Sequence, residues 1–321
     1  MNTTLSRDEI DHLVMMATCA PSVHNTQPWL FARTERGLTI SADPSRRLTV
    51  TDPLGRDLLV SCGAALHHLQ VAARAVGIDT DVHLLPPGRD VLADVTLTRG
   101  SPGSSEETEL AVAILHRHTY RGRFADRPVA PTVLSALRLA AESRHGLVRL
   151  VRQDELVEVE VLVSAAERLL LDTDGYPAEL ARWVWDGPAD HDRGDGLPAP
   201  SVEHGAGRAE SLQGRQFEGV AATRPDEPPP AEHPTVLLLS TSGDSPADQV
   251  EAGEALSALL LAATRLGVLA QPIGQVIDVP ATRWALRDRL GTVGAPQMLL
   301  RLGVGAAVPT TPRRSVEDVF A

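Results

Sequence analysis

The sequence predicts an α+β protein in which helices alternate with short strands and a polar linker divides the chain into two halves. Three observations predict this fold class. Long segments repeat apolar residues every three or four positions, which is typical of helices with one buried face. Shorter runs of β-favouring residues are separated by turn signals. A small, polar segment at positions 100–105 lies between two such sets of elements, and we expect a boundary there.

The composition supports a folded chain and excludes several classes of protein. Of the 321 residues, 43% are hydrophobic and 22% are charged, which is ordinary for a globular protein and unlike a disordered, collagen-like or membrane chain. The net charge of −12 disfavours nucleic acid as a partner. All 30 basic residues are arginine, which excludes lysine Schiff-base chemistry and a phosphate loop that depends on lysine.

Cysteine usage and the N-terminal residues predict the compartment. The first residues are polar and acidic, and no stretch approaches ~18 consecutive apolar residues, so we expect neither an export signal nor a membrane anchor. Cys19 and Cys62 are the only cysteines, which fits a reducing compartment and argues against a disulfide framework or a cysteine metal site. We therefore expect a cytoplasmic protein with no membrane partner.

The first half, residues 1–105, is predicted to contain two helices, a hairpin and two further strands. Ser6 and Glu9 have the spacing of a capping box, and Gly77 provides a stop for the second helix. The predicted elements are a helix from Ser6 to about Cys19, strands at Trp29–Ala32 and Leu38–Ala42, a helix at Arg56–Val76, and strands at Val82–Leu85 and Val91–Thr98.

The second half, residues 106–321, continues with the same kinds of element and contains one long irregular stretch. Residues 172–234 are rich in proline and glycine, and a stretch of this length inside a domain is usually disordered or a functional lid, which we predict here. The predicted elements are helices starting near Leu110 and at Val133–Ser143, Leu156–Leu171, Ala178–Trp185, Asp248–Leu266 and Thr282–Leu290, and strands at Leu147–Val151, Thr235–Ser240 and Met298–Leu302.

The first candidate site is the loop Ala20–Trp29, between a predicted helix and a predicted strand. Pro21 and Pro28 stiffen its two ends, and its polar side chains offer both donors and acceptors of hydrogen bonds. Such a loop can hold a flat polar heterocycle. The alternative is a turn whose Asn and Ser side chains bond only their own backbone.

The second candidate is the segment His116–Phe124, at the end of a predicted helix. Arg117 and Arg121 with the intervening Thr119 hydroxyl are suited to phosphate oxygens. Alternatively, the basic residues complement the dipole at the C-terminus of the helix.

Two pairs of nearby histidines suggest a metal site, but the spacing of the residues within each pair disfavours it. His116 and His118 are alternate residues whose side chains point apart on a helix, and no nearby carboxylate or cysteine completes a ligand set. His67 and His68 lie inside a helix, where we expect one buried and one exposed residue instead of a site.

The third candidate combines the segments Leu266–Gly274 and Pro309–Ser315. The first offers exposed backbone amides after a helix, and the second places two arginines after a strand. The sequence has no G-x-G-x-x-G after a strand, no G-x-S-x-G, no H-E-x-x-H and no C-x-x-C. These absences argue against a Rossmann dehydrogenase, an α/β-hydrolase and a zinc enzyme.

All three candidates resemble motifs of the flavin-dependent nitroreductase family. The loop A-P-S-V-H-N-T-Q-P-W is similar to the family's A-P-S-x-x-N-x-Q-P-W loop around the flavin ring, and R-H-T-Y-R at 117–121 to its R-x-S/T-x-R element for the FMN phosphate and ribityl chain. Residues 267–274 resemble the loop beside the flavin, and residues 313–314 the C-terminal phosphate-binding basic residues. The resemblance implies FMN-binding roles for Pro21, Ser22, Val23, Asn25, Gln27, Arg117, Thr119, Arg121, Gln271, Pro272, Ile273, Gly274, Arg313 and Arg314.

The order of these motifs resembles the Acg-like subfamily. In an ordinary nitroreductase the R-x-S-x-R element precedes the ring loop and two sites form across a homodimer, whereas this chain has the two motifs in the opposite order. The resemblance implies a nitroreductase-like fold in which two fused units form an internal pseudo-dimer around one flavin, with a long lid insertion. Glu179–Trp183 and Asp195–Pro198 are similar to the subfamily's lid. We therefore expect a monomer with internal pseudo-dimer symmetry and not an obligate homodimer.

The implied activity is that of an FMN-dependent oxidoreductase, which passes hydride from NAD(P)H through flavin N5 to a small electron acceptor such as a nitroaromatic or a quinone. Because the cofactor performs the chemistry, no catalytic residue of the protein is expected. The family often has a lysine near the flavin pyrimidine, and Arg121 is the candidate substitute in this lysine-free chain. The alternative is an FMN-binding or storage protein with an occluded flavin and no turnover; a flavin-free metal-dependent enzyme is disfavoured.

Overall fold

Two four-stranded antiparallel sheets, each packed against one long helix, form the frame of the protein. The predicted α+β class is therefore confirmed. The computed structural model describes residues 5–88, 91–185, 193–203, 234–306 and 310–321.

The first sheet contains the predicted hairpin. Trp29 lies opposite Ala42 and Thr34 opposite Gly37, so the two hairpin strands are in full register. The side chains of Trp29 and Phe31 are completely buried, because alternate residues of the strand face the core. The strands are β1 (Trp29–Thr34), β2 (Gly37–Ala42), β3 (Ile78–Leu84) and β4 (Ala93–Arg99), in the order β1-β2-β4-β3.

The second sheet has the same number of strands and lies entirely in the second half of the chain. Its strand β10 is buried along its whole length, as expected for a central strand. Its four strands are β5 (Leu147–Leu150), β8 (Thr235–Thr241), β9 (Leu269–Ile273) and β10 (Ala295–Gly303), in the order β5-β8-β10-β9. Two short strands outside this sheet, β6 (Val184–Trp185) and β7 (Leu197–Pro198), form a separate parallel pair.

Capping boxes start three of the helices. Ser6, Ser104 and Ser245 each accept a hydrogen bond from the backbone three residues later, where an acidic side chain bonds back. None of the helices in the described ranges is both long and apolar enough to cross a bilayer. They are α1 (Arg7–Thr18), α2 (Arg56–Ala75), α3 (Ser105–His116), α4 (Pro131–Glu142), α5 (Leu156–Leu171), α6 (Tyr176–Ala181), α7 (Ala199–Glu203), α8 (Pro246–Arg265), α9 (Gln275–Asp278), α10 (Pro280–Leu290) and α11 (Val316–Val319).

The two long helices α2 and α8 cross at a pair of glycines. A Cβ atom on Gly63 would lie 1.9 Å from the Val250 carbonyl oxygen, and one on Gly253 would lie 2.0 Å from the Val60 carbonyl oxygen. Only glycine permits this approach, because any side chain would force the helices apart. The crossing joins the two halves of the chain and fixes the start of α2 beside the second sheet.

The end of the chain returns to the first half. Phe320 forms a parallel bridge with Phe31, and the Ala321 amide donates to the Phe31 carbonyl oxygen at 2.9 Å. The buried residues of α3, Ala113 and Ile114, also belong to the apolar core of the first half. The predicted boundary between residues 105 and 106 stays a prediction, since these segments pack across it.

Three sequence-based predictions differ from the structure. The predicted helix Ala178–Trp185 ends at Ala181, and its last residues pair as β6 because the backbone there meets β7. Residues 271–273 are part of strand β9, not of a loop, since they pair with β10. His67 and His68 are both buried, because α2 packs between α1, α3 and α8 and has little exposed surface.

Candidate functional site

A cleft lies between the two halves of the chain, where the N-terminal turns of α2 face strand β9. It has about 970 Å³ of empty space when its opening to solvent is included, and about 140 Å³ of this is accessible to the centre of a water molecule. Its walls combine apolar and polar side chains. The residues that line it are Pro21, Ser22, Val23, His24, Asp57, Val60, Ser61, Thr119, Arg121, Val202, Leu256, Gln271, Pro272, Gly274, Gln275 and Met298.

The loop between α1 and β1 forms one wall and is held in a strained conformation. His24, Asn25 and Gln27 have φ angles of 47°, 56° and 48°, a region that L-residues rarely adopt. The Ser61 hydroxyl accepts from the Val23 amide at 3.3 Å, and the Ser22 hydroxyl accepts from the Gln27 amide at 3.0 Å. These bonds fix the loop against α2, so the predicted ring loop is preorganised.

The side-chain amides of Asn25 and Gln27 tie this loop to two other segments. Asn25 donates to the carbonyl oxygens of Gly196 at 2.9 Å and Pro312 at 3.0 Å. Gln27 donates to the Gly194 carbonyl oxygen at 2.7 Å. Both residues are predicted to contact the flavin, but neither lines the cleft, so that role stays a prediction.

The predicted phosphate element lies on the opposite wall. The Tyr120 amide donates to the Ala270 carbonyl oxygen at 2.9 Å, which aligns residues 119–121 with strand β9. Thr119 and Arg121 then face the cleft. No described residue forms a hydrogen bond or an ion pair with the Arg121 guanidinium, and burial lowers its pKa to about 10. Arg121 is therefore a cation beside an open space, and the described part of the chain provides no counter-ion for it.

Strand β9 supplies the remaining predicted residues. Gln271, Pro272 and Gly274 line the cleft, and the Gln271 side-chain oxygen accepts from the Arg301 guanidinium at 2.7 Å. This bond orients the amide of Gln271. Ile273 is fully buried in the core of the second half and does not line the cleft.

Arg117 and Arg313 come together outside the cleft lining. Both guanidinium groups donate to the carbonyl oxygen of Cys19, at 3.3 Å and 3.4 Å. Their Nε atoms are buried and have no hydrogen-bond partner among the described residues. Burial and the charge of Arg313 lower the pKa of Arg117 to about 9, and burial also lowers the pKa of Arg313. This pair can bind an anion such as a phosphate group.

The neighbouring Arg314 has a different environment. Its backbone amide donates to the side-chain oxygen of Gln27 at 2.9 Å, and its guanidinium donates to the Gln27 carbonyl oxygen at 3.1 Å and to the Asp318 carbonyl oxygen. These bonds fasten the C-terminal segment to the ring loop. The predicted phosphate contact of Arg314 stays a prediction.

The described part of the predicted lid is anchored by two carboxylates. Glu179 accepts from the amides of Val50 and Thr51 at 2.9 Å and 2.8 Å. Asp195 pairs with Arg46, whose Nε donates to the carbonyl oxygen of Thr26 in the ring loop at 2.6 Å. Val202 in α7 reaches the cleft. The rest of the predicted lid, residues 186–192 and 204–233, lies outside the described residues, as does Pro309.

Several cleft residues carry no recognisable signal in the sequence. Asp57 and Ser61 stand one helical turn apart at the start of α2, and Ser61 donates to the Asp57 carbonyl oxygen at 2.6 Å. The signal that could have indicated Asp57 and Ser61 is their position in the first two turns of α2, the helix whose N-terminal end faces the ring loop. His24 lies in the predicted ring loop and Val202 in the predicted lid, although neither was predicted as a binding residue. The remaining unpredicted lining residues, brought there by tertiary packing, are Val60, Leu256, Gln275 and Met298.

The chain is similar to known proteins over nearly its whole length. No family model matches it. A Mycobacterium tuberculosis H37Rv protein with the provisional name NAD(P)H nitroreductase is 33% identical over 99% of this chain and 93% of its own. A second protein of that strain, provisionally named NAD(P)H nitroreductase acg, is 32% identical over 99% of this chain and 97% of its own. The crystal structure of a provisionally named nitroreductase from Anabaena variabilis matches 93% of this chain and 88% of its own, with a TM-score of 0.53 and 10% identity.

Proposed function

The chain belongs to the nitroreductase family, and on that premise we propose that it is an FMN-dependent oxidoreductase that takes hydride from NAD(P)H and delivers it to a small electron acceptor. The order of the motifs, which resembles the Acg-like subfamily, agrees with these relatives, one of which is provisionally named acg. The nitroreductase-like fold agrees with the likeness to the Anabaena structure.

The observation that carries the proposal is a set of three cations, in or near the cleft wall, that have no carboxylate partner among the described residues. Arg117 and Arg313 share one carbonyl oxygen and leave their buried Nε–H groups without a described partner, while Arg121 faces the open space. Buried guanidinium groups without carboxylates are costly unless an anion completes the site. A phosphate at Arg117 and Arg313, with a polar ring system beside Arg121, satisfies all three residues.

Each wall of the cleft has a separate task in this proposal. When bound, FMN supplies the centre that accepts and donates hydride. Ser22 and Val23 of the strained loop would hold the ring, and Gln271, fixed by Arg301, would offer hydrogen bonds to it. The apolar side chains of Leu256 and Met298, which also line the cleft, would exclude water from the ring.

Arg121 takes the role that a lysine often has in the family. Its guanidinium is desolvated and still cationic at neutral pH, since its pKa of about 10 lies well above 7. A positive charge at this place favours the reduced, negatively charged form of a bound flavin over the oxidised form. The proposed role therefore requires no lysine.

We also propose that residues 1–105 and 106–321 act as two fused units that share one flavin, and that residues 172–234 cover it as a lid. The cleft is lined from both units. The ion pair between Arg46 and Asp195 joins the predicted lid to the ring loop, which supports this arrangement.

Absorption spectra of the purified protein test the proposal. We expect a yellow protein whose flavin bands bleach on anaerobic addition of NADH or NADPH and return when an acceptor such as a quinone is added. Flavin that stays oxidised with both nucleotides but reduces with dithionite would instead identify an FMN store. A colourless protein that binds no added FMN would contradict both functions.

A further inference from the structure

A cluster of buried charged groups lies directly behind the wall of the cleft and has no part in the proposed binding of FMN. Asp57 lines the cleft, and its carboxylate pairs with the guanidinium of Arg56. Arg56 also pairs with Asp278 at 3.1 Å and donates to the Gln297 carbonyl oxygen at 2.8 Å. Asp52, only 6% exposed, stands at the same end of α2.

Among the described residues, the acidic groups at this end of α2 outnumber the basic ones. Asp57 and Asp278 both pair with the one guanidinium of Arg56, and the Asp52 carboxylate is a third acidic group at the same helix start. Beyond Gln297, Arg283 and Asp244 neutralise each other at 2.7 Å. A buried carboxylate without an ion-pair partner tends to become neutral.

Asp52 is the acidic group of the cluster whose negative charge is least compensated by nearby positive charge. Its carboxylate accepts from the Leu58 amide at 2.9 Å and so caps the start of α2, but no guanidinium of the described residues pairs with it. Burial and the nearby charge of Asp57 raise the pKa of Asp52 to about 6, although the backbone bonds and Arg56 oppose the shift. Asp52 consequently changes its charge at pH values near 6, close to the pH at which the protein is expected to work.

Asp52 stands next to a residue of the cleft wall, because its carboxylate accepts from the amide of Leu58, which follows the cleft residue Asp57. Arg56 joins Asp57 to Asp278, which ends the helix that begins with the cleft residue Gln275. A negative charge placed in the cleft beside Asp57 therefore adds to the charge that already raises the pKa of Asp52.

We propose that Asp52 is a proton acceptor coupled to the charge of the cleft, which takes a proton from solvent when negative charge accumulates beside Asp57 and releases it when that charge leaves. The inference rests on the proposed function, because hydride transfer is the source of the charge. Asp52 is a positioning residue in this scheme, since it touches neither substrate nor cofactor.

The charge balance of the step is simple. The hydride that NAD(P)H loses carries two electrons and one proton, so NAD(P)+ leaves and the cleft gains one negative charge. One proton from water then forms an O–H bond on the Asp52 carboxylate. When the acceptor takes the electrons, the O–H bond breaks and the proton returns to solvent, so the carboxyl group itself is neither oxidised nor reduced.

The test compares the FMN-loaded protein with Asp52→Asn and with Asp81→Asn, which removes an exposed carboxyl group on β3. The reduction potential of the bound flavin is measured by spectroelectrochemistry between pH 5 and pH 8. We expect the potential of the wild-type protein and Asp81→Asn to depend more steeply on pH near 6–7 than that of Asp52→Asn. Equal slopes in all three proteins would overturn the inference.

A second measurement needs no variant of Asp52. The carbon-13 resonance of the Asp52 carboxyl group gives its titration midpoint in the oxidised and the reduced protein. We expect the midpoint to rise on reduction by roughly half a unit or more, because a like charge nearby disfavours ionisation. An unchanged midpoint would overturn the inference while flavin binding and bleaching still support the proposed function. A chain that binds no flavin would overturn both.

Discussion

Arg117 and Arg313 share one acceptor, the carbonyl oxygen of Cys19, and no carboxylate of the described residues pairs with either of them. The other donors of Arg313 include Nη1, which bonds the Thr311 hydroxyl at 2.7 Å and so holds the side chain in place. Two buried cations held together without a counter-ion repel each other and are poorly solvated. The fold tolerates this arrangement because α1, the start of the second half and the C-terminal segment fix the positions of the two arginines. The pair has the properties of a preformed site for a phosphate group.

Removal of either arginine should weaken FMN binding. Charge-assisted bonds to phosphate contribute roughly 1.5–3 kcal/mol each, so Arg117→Ala or Arg313→Ala is expected to raise the Kd of FMN about tenfold or more. Titration of the flavin fluorescence measures the Kd, and Arg138→Ala, which changes an exposed residue of α4, is the control. Unchanged flavin occupancy in both variants would refute the assignment of the phosphate site.

The protein should bind one FMN per chain. A complete site needs a ring loop from one half and a phosphate element from the other, and the sequence holds one clear copy of each, at 20–29 and 117–121. Quantification of the flavin released by denaturation, relative to protein determined by amino-acid analysis, is expected to give a ratio of one. A ratio of two would reveal a second site and contradict the pseudo-dimer interpretation.

Shortening the predicted lid should expose the flavin without releasing it. Replacement of residues 187–232 by a short Gly-Ser linker removes Asp195 and Val202 but leaves the arginines of the phosphate site. We expect faster reduction by NAD(P)H and faster reoxidation by bulky acceptors, because the ring becomes open to solvent. Stopped-flow kinetics measure both rates, with Asp195→Ala as a smaller change that removes only the ion pairs of Asp195 with Arg46 and Arg193. If the flavin, the rates and the acceptor range all stay as in the full chain, the segment is not a lid.

The free energy of unfolding should decrease as the pH rises from about 4 to about 6, because Asp52 becomes ionised in this interval. Its pKa is 3.8 in the ordinary state and about 6 in the folded protein, so the folded state binds more protons in this interval and loses stability as the pH rises. The contribution is about 3 kcal/mol, from a shift of about 2 units at 1.36 kcal/mol each. Asp52→Asn should remove this part of the pH dependence in urea unfolding experiments on the flavin-free protein. A variant whose stability has the same pH profile as the wild type would contradict the assignment.

A methyl group at the crossing of α2 and α8 should strongly destabilise the protein. Gly63→Ala and Gly253→Ala each place a Cβ atom at about 2 Å from a carbonyl oxygen of the facing helix, where neither backbone can yield locally. We expect a loss of at least about 1–3 kcal/mol, the usual effect of overpacking. Thermal unfolding measures the loss, and Ser164→Ala on the exposed side of α5 is the control. Wild-type melting temperatures in both glycine variants would show that the helices can separate without cost.

Local patterns allowed much of the fold to be predicted, and long-range pairing explains the remainder. The helix Leu156–Leu171 has the predicted bounds, because its apolar spacing and its length are properties of that segment alone. Strand β9 was predicted as a loop, since Pro272 and the nearby glycines are typical of loops and its strand conformation depends on pairing with β10. A similar limit applies to Trp185, which leaves the predicted helix to pair beside β7.

The residues of the candidate site also fall into two groups, those that a local motif predicted and those that only the folded structure brings together. Thr119 and Arg121 were predicted from a motif and do line the cleft. Asp57, Leu256 and Met298 were not predicted, because they reach the cleft only after helices and strands distant in sequence have packed together. Motifs thus indicated the polar groups of the site, whereas its shape and its buried charges required the folded structure.

The return of the chain to its own first half has a consequence for biosynthesis. Arg313 lies 288 positions after its partner Asn25, and Phe320 is similarly distant from Phe31, so the ribosome supplies the two sides of these contacts at different times. Until residues 313–320 have been synthesised, the first sheet keeps an unprotected edge and the proposed anion site has only one of its two arginines. We therefore expect flavin to be captured only after this segment has left the ribosome.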